Sequence, residues 1–288
     1  MSVCGHLKEA EQAFRMAISL APTYAEAAEH LARLLADEGK SLEPPSQSPP
    51  GNTEPAPPFT ALTRGQDWTG IESELMTRGC ALLPQLLNHD QCCELMALHG
   101  DEEIFEQEMT HDDETGRGTV LFFTRPLPNL VQRLRVEVYG RTVLIANRWQ
   151  KLLDRDQLFP PALDDFLEQC NRDGQHRTSP LLALYEAGGF KGLNRDTESR
   201  VIFPLELMVS LGPSASEDGG ELILADQRPG KKVRQTLVPT NIGDGVLFCS
   251  RERLARIAGI RGLQPVLNGL SPVRKQRYVL DIPFHDHG

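Results

Sequence analysis

Between residues 180 and 284 short apolar runs follow one another, each broken by Gly, Pro, Asn or Asp. Such short runs, bounded by turn formers, read as β-strands rather than helices. Strands are expected at Leu181–Ala187, Val201–Leu211, Glu221–Ala225, Gln235–Val238, Gly245–Cys249 and Tyr278–Phe284. Many short strands with irregular turns favour two packed sheets, a jelly roll.

The chain ahead of this region is patterned differently. Helices are expected at Asp67–Met76, Leu130–Ala146 and Pro161–Cys170. Asn88 stands as an N-cap before an amphipathic run to Leu98. Gly79–Pro84 and Thr119–Phe123 read as strands, whereas EIFEQEMT at 103 reads as helix or loop. These helices would pack on one sheet, giving an α+β domain over residues 65–288 with a double-stranded β-helix (jelly-roll) core. Residues 41–60 are rich in Pro and Ser, with little to bury, and mark a linker over 41–64.

Residues 5–39 show two helical periods separated by Leu20-Ala21-Pro22-Thr23. Gly5, Ala10, Phe14, Ala17 and Pro22 stand at the spacing of a tetratricopeptide repeat, which this stretch resembles over one helix pair. A single repeat cannot bury its apolar face alone. The hairpin at 1–40 would therefore dock on the main domain, on a protein partner or on another copy.

The net charge of −10 argues against a general nucleic-acid binder. From Asp226 to Arg277, however, eleven Lys and Arg stand against three Asp and Glu. That local excess suits either an anionic ligand or a solvated face. The six cysteines contain no C-x-x-C pair, which excludes a zinc ribbon or a thioredoxin motif and fits buried reduced thiols. No run of eighteen apolar residues is present, so no membrane span is expected. The first residues lack the basic head and apolar stretch of a secretory signal. A cytoplasmic protein is expected.

Five pieces of the β-region occur in a set order: Tyr185-Glu-Ala-Gly-Gly189, Leu193-Asn194-Arg195-Asp196, Asp218-Gly219-Gly220-Glu221, Gly243-Asp244-Gly245, and Asn268 followed by Arg277. As an ordered set they resemble the iron(II)/2-oxoglutarate oxygenase superfamily. ALLPQLL at 81, IANRW at 145, FPLEL at 203, GGELILADQRP at 219 and IPFHD at 282 narrow this to a bacterial-type family described as acting in oxidative demethylation of damaged DNA. The resemblance implies iron(II) held by two His and one carboxylate, 2-oxoglutarate as cosubstrate, and a nucleic-acid substrate by family alone. It implies Asp196 as the metal carboxylate, Arg277 as the anchor of the cosubstrate's far carboxylate, and Tyr185 as a hydrogen-bond donor to the same ligand.

The sequence departs from that pattern at two positions, since Asn194 and Asn268 stand where the family has histidine. An amide oxygen is a neutral, hard donor and a poor substitute for imidazole toward iron. The residues therefore point to an oxygenase-family protein with a degenerate metal site, impaired or inactive as a dioxygenase. Two alternatives stay open: an active enzyme using other ligands, or a non-catalytic module binding a diacid or a protein. The remaining histidine candidates are His111 and Asp113 with His176, and the tail pair His285 and His287. Asp196 also fits a plain turn, Tyr185 a core position, and Arg277 a surface ion pair.

Overall fold

A computed structural model describes residues 62–195, 199–212, 218–226, 232–257 and 260–288. The hairpin expected at 1–40 and all but the last three residues of the linker lie outside them, as does Asp196. The described chain begins with α1 (Trp68–Arg78), β1 (Cys80–Leu83) and α2 (His89–Ala97). It continues with β2 (Phe105–Asp113), β3 (Gly116–Phe123), α3 (Asn129–Leu152) and α4 (Leu163–Arg172). The rest is strand: β4 (Leu181–Tyr185), β5 (Phe190–Asn194), β6 (Leu205–Ser210), β7 (Leu222–Asp226), β8 (Arg234–Val238), β9 (Gly245–Cys249), β10 (Glu252–Ile257), β11 (Ile260–Leu270) and β12 (Arg277–Pro283).

The strands follow the order β1-β9-β6-β12-β4-β3-β5-β11-β7-β8, with β2 added to β3 and β10 to β11. Within it lie two interlaced four-stranded sheets, β9-β6-β12-β4 and β5-β11-β7-β8, and all the strand pairs are antiparallel. This is the double-stranded β-helix, folded as a nearly closed barrel. β3 closes one side by pairing with β4 through Thr119–Phe122 and with β5 through Gly116 and Arg117.

Helix α3 covers the first sheet because its apolar residues recur at helical spacing: Val131, Leu134, Val138, Ile145 and Trp149 are all buried. They share a core with Leu205, Leu207 and Val209 of β6 and with Leu280 and Ile282 of β12. The intervening residues of β6 point the other way, into the barrel. The whole strand is therefore buried, and it reads as a continuous apolar run rather than an alternating one. Helix α2 starts where the sequence predicts it. Asn88 accepts a hydrogen bond from the Gln91 backbone N–H, and the Gln91 side chain returns one to the Asn88 N–H.

Several expectations fail. β10 and β11 form between Cys249 and Tyr278, where no strand was expected. EIFEQEMT lies mostly in strand β2, paired residue by residue with β3, not in a helix or loop. Residues 190–194 form β5, where no strand was expected.

Candidate active site

The inside of the barrel follows from strand alternation. Ala183 and Tyr185 of β4, Met208 of β6, Leu222 and Leu224 of β7, Val246 and Phe248 of β9, Val266 and Leu270 of β11 and Val279 of β12 form one interior apolar cluster. The polar residues in step with them face the same interior: Glu206 and Ser210 on β6, Asn268 on β11, and Arg277 and Asp281 on β12.

Asn194 and Asn268, at the two positions assigned to histidine by resemblance, are direct cross-strand partners. They meet because of a register irregularity. Lys191 lies opposite Leu270 and Asn194 opposite Asn268, so three steps on β5 match two on β11. A bulge of this kind reverses the alternation and brings both Lys191 and Asn194 inward. Asn268 is 4% exposed. Its Nδ2 donates a long hydrogen bond, 3.4 Å, to the Ser250 carbonyl, and its Oδ1 is buried with no hydrogen-bond partner among the described residues.

Both asparagines line a cavity of about 700 Å³ that also includes Lys191, Glu206, Asp281 and His285. A second, smaller cavity of about 140 Å³ shares Lys191, Asn194 and Asp281 with it and runs inward to Tyr185, Met208 and Phe248. The charge between them is an ion pair, Lys191 Nζ to Asp281 Oδ2 at 3.6 Å. Burial works against the Lys191 ammonium. Asp281 foremost, then Tyr185 and Glu206, outweigh it and hold its pKa above the ordinary lysine value. Burial pushes the Asp281 carboxyl up, opposed by Lys191.

Arg277 lies opposite Tyr185 across β12 and β4. It is 2% exposed, and its guanidinium donates to Ser210 Oγ at 2.9 Å, Thr240 Oγ1 at 2.7 Å and the Gly219 carbonyl at 3.1 Å. Gly220 makes room for it. With φ +77°, a Cβ there would lie 2.6 Å from Arg277 Cδ, so any side chain would collide as well as strain the backbone. Burial lowers the Arg277 pKa to about 10, with Glu221 and Asp218 opposing, so the group stays cationic at neutral pH. Arg277 is not among the residues lining either cavity, whereas Tyr185 lines the smaller one. The turn motif Gly243-Asp244-Gly245 proves to be a brace. Asp244 accepts hydrogen bonds from the Gln85 and Asn241 backbone N–H groups at 2.9 and 2.8 Å.

The other histidines separate. His111 lies on β2 and lines the smaller cavity, but Asp113 is engaged with Thr115, and His176 lines neither cavity. The tail pair is not a solvated end. His285 is fully buried, and both His285 and His287 line the larger cavity, with ring centres 5.9 Å apart and perpendicular. The sequence signal for this was the apolar run immediately before them, which draws the tail into the fold.

Among the described residues, no group of three or more His, Cys, Asp or Glu side chains is placed to hold a metal ion. The cavity presents the amides of Asn194 and Asn268 and the Lys191 ammonium, and the His285 and His287 imidazoles that line it form no metal-holding group with its carboxylates, so the described residues do not fit a two-histidine, one-carboxylate iron centre.

The sequence was compared with known proteins. A family model described as "Oxygenase, catalysing oxidative methylation of damaged DNA" matches residues 118–287. Rv2227 of Mycobacterium tuberculosis (strain ATCC 25618 / H37Rv) is 33% identical over 172 residues, covering 59% of this chain and 74% of that protein. Its counterpart MT2286 in strain CDC 1551 / Oshkosh matches equally. Among solved structures, a Pseudomonas putida prolyl-4-hydroxylase aligns over 74% of this chain and 96% of its own, with 16% identity and a TM-score of 0.48. A 2OG-Fe(II) oxygenase family oxidoreductase from Burkholderia pseudomallei aligns over 78% and 94%, with 14% identity and a TM-score of 0.46. With the family model spanning more than half of its length, the chain belongs to the oxygenase family described as catalysing oxidative methylation of damaged DNA.

Proposed function

We propose that this chain keeps the oxygenase barrel of its family but has a degenerate metal site, and does not carry out iron(II)- and 2-oxoglutarate-dependent oxidation. One observation carries the reading: Asn194 and Asn268 are paired across β5 and β11, and the Asn268 Oδ1 is buried with no hydrogen-bond partner among the described residues. A neutral amide pair offers iron(II) two oxygens in place of two nitrogens. Each such exchange costs on the order of 2–3 kcal/mol, and 1.4 kcal/mol is tenfold in affinity. Asp196 remains the third ligand only by resemblance.

The diacid-binding alternative has less support. The Arg277 guanidinium already donates to three neutral oxygens, and it faces neither cavity. A role as a protein-interaction module, with the helical hairpin at 1–40 making the contact and residues 41–64 as its tether, follows from the sequence pattern. A nucleic-acid partner follows from the family description alone. No described helix is long and apolar enough to cross a membrane.

The experiment is turnover with metal titration. Purified full-length chain is given iron(II), 2-oxoglutarate and oxygen, and succinate is measured. No iron-dependent succinate is expected. Restoring both imidazoles, Asn194→His with Asn268→His, should raise iron(II) affinity by about 1,000-fold or more. Stoichiometric, iron-dependent succinate from the unsubstituted chain would defeat the reading.

A further inference from the structure

The barrel interior holds charges that the oxygenase chemistry does not call for. Lys191 is on β5, three residues before Asn194, and the bulge turns it inward. Its side chain is one-third exposed and lines both cavities, so it stands on the wall between them. Asp281 is on β12 opposite Met208 of β6, and its carboxylate reaches Lys191 at 3.6 Å. Glu206 is one inward step along β6 from Met208, within diagonal reach of Asp281, and its charge also acts on Lys191. Around one ammonium are thus two carboxylates and, at the same mouth, two amides, Asn194 and Asn268. Every acceptor in this set is a hard oxygen, the ligand type that suits Mg²⁺, Ca²⁺ or Mn²⁺.

Resting on the degenerate-site reading above, we propose that the Lys191 ammonium is a tethered cation that takes a metal ion's place at the barrel mouth, paired with Asp281 and in the field of Glu206. Two carboxylates facing one buried space repel each other and lose hydration, and they need a positive charge between them. In a metal-dependent barrel an ion could provide that charge. Here the chain provides it covalently, at no entropic cost of capture, and the mouth stays assembled in the absence of any free cation. The corollary concerns ligands. With Lys191 in place the oxygen set repels a divalent cation. Without Lys191 the same set becomes a weak site for one.

The test uses the full-length chain with Lys191→Met and Lys191→Met/Asp281→Asn, measuring the melting temperature in chelator and in excess MnCl₂, and bound Mn²⁺ by electron paramagnetic resonance. The unsubstituted chain should melt at the same temperature in both and bind no Mn²⁺. Lys191→Met should melt about 5 °C or more lower in chelator, recover with MnCl₂, and show bound Mn²⁺. The double variant should regain stability in chelator and lose the Mn²⁺ response. Because it removes the orphaned charge, it should fold even where Lys191→Met does not. The proposal is overturned by a Lys191→Met chain as stable in chelator as the parent, by equal Mn²⁺ responses in the two, or by a double variant no more stable than the single one. These results are separable from turnover. Iron-dependent succinate from the parent chain defeats the degenerate-site reading, whereas a Lys191→Met chain indifferent to chelator and Mn²⁺ defeats only the tethered cation.

Discussion

Replacing Arg135 by methionine tests how the C-terminal segment is fixed beside the barrel mouth. Arg135 is on α3, and its side chain is 2% exposed. Its guanidinium donates to Asp286 Oδ1 at 2.7 Å, the His285 carbonyl at 3.0 Å, the Pro283 carbonyl at 3.2 Å and the Phe284 carbonyl at 3.3 Å. One side chain thereby holds four consecutive residues, the last of β12 and the three that follow it. Breaking a buried ion pair from one side costs about 3–5 kcal/mol. The lower end applies to the pair itself, because Asp286 keeps its contact with the more exposed Arg125. The forfeited carbonyl bonds add about 0.5–1 kcal/mol each for the two shorter ones, giving about 4 kcal/mol in all. At roughly 2–4 °C per kcal/mol, the melting temperature should fall by about 8–16 °C. Urea unfolding followed through the buried Trp149 reads the same loss as a lower midpoint. Asp286→Asn in the methionine background should recover about 1.5 kcal/mol by removing a buried carboxylate left with only the more exposed Arg125. An Arg135→Met chain melting within 2 °C of the parent, a bound set from this same scale, would refute the assignment of Arg135 as the clamp.

Two further outcomes follow from burial. Cys80 and Cys92 are pushed up by burial to a pKa of about 11 each, while unfolded thiols ionise near 9. Below pH 9 their protonation leaves stability untouched. Between 9 and 11 the unfolded state binds fewer protons, so stability should fall by about 1.4 kcal/mol per pH unit per thiol, read by denaturant titration across that range. At neutral pH a thiol reagent should modify exposed Cys93 in the native chain and reach Cys80, Cys92, Cys170 and Cys249 only on unfolding. Rapid modification of all four without unfolding would contradict their burial. Gly220→Ala places a Cβ 2.6 Å from Arg277 Cδ at φ +77° and should cost about 2 kcal/mol or more, whereas an unchanged urea midpoint would mean that Arg277 does not lie against this turn.

The barrel was legible in the sequence wherever a strand carried its own apolar signal. β9 falls on the residues expected, and β6, β7, β8 and β12 within a few residues of them. β5 was hidden because Phe-Lys-Gly-Leu-Asn has neither alternation nor a uniform apolar run. Its pairing with β11 and β3 makes it a strand, and no local rule sees those partners. β2 was hidden for a related reason. Its residues are largely exposed and charged, and it is held by a ladder to β3 rather than by a buried face. The juxtaposition of Asn194 with Asn268 followed from the family resemblance. The presence of Lys191 beside them was not, because strict alternation puts residues 191 and 194 on opposite faces and only the bulge reconciles them.

Neither Asn194 nor Asn268 belongs to the apolar packing of the barrel. The outer core, from α3 through β6 and β12, touches neither asparagine, and the inner cluster is apolar below the mouth. A ligand exchange at the rim therefore leaves the packing that stabilises the barrel intact, and changes only a ring of polar residues around one end. Such a ring must still balance its charge, since Glu206 and Asp281 are largely buried there. An inward lysine on β5, a strand paired with neither of theirs, meets that requirement from within the chain. On the proposed reading, the two asparagines and the lysine that faces the two carboxylates are parts of one electrostatic arrangement, and changing either half alone should disturb the other.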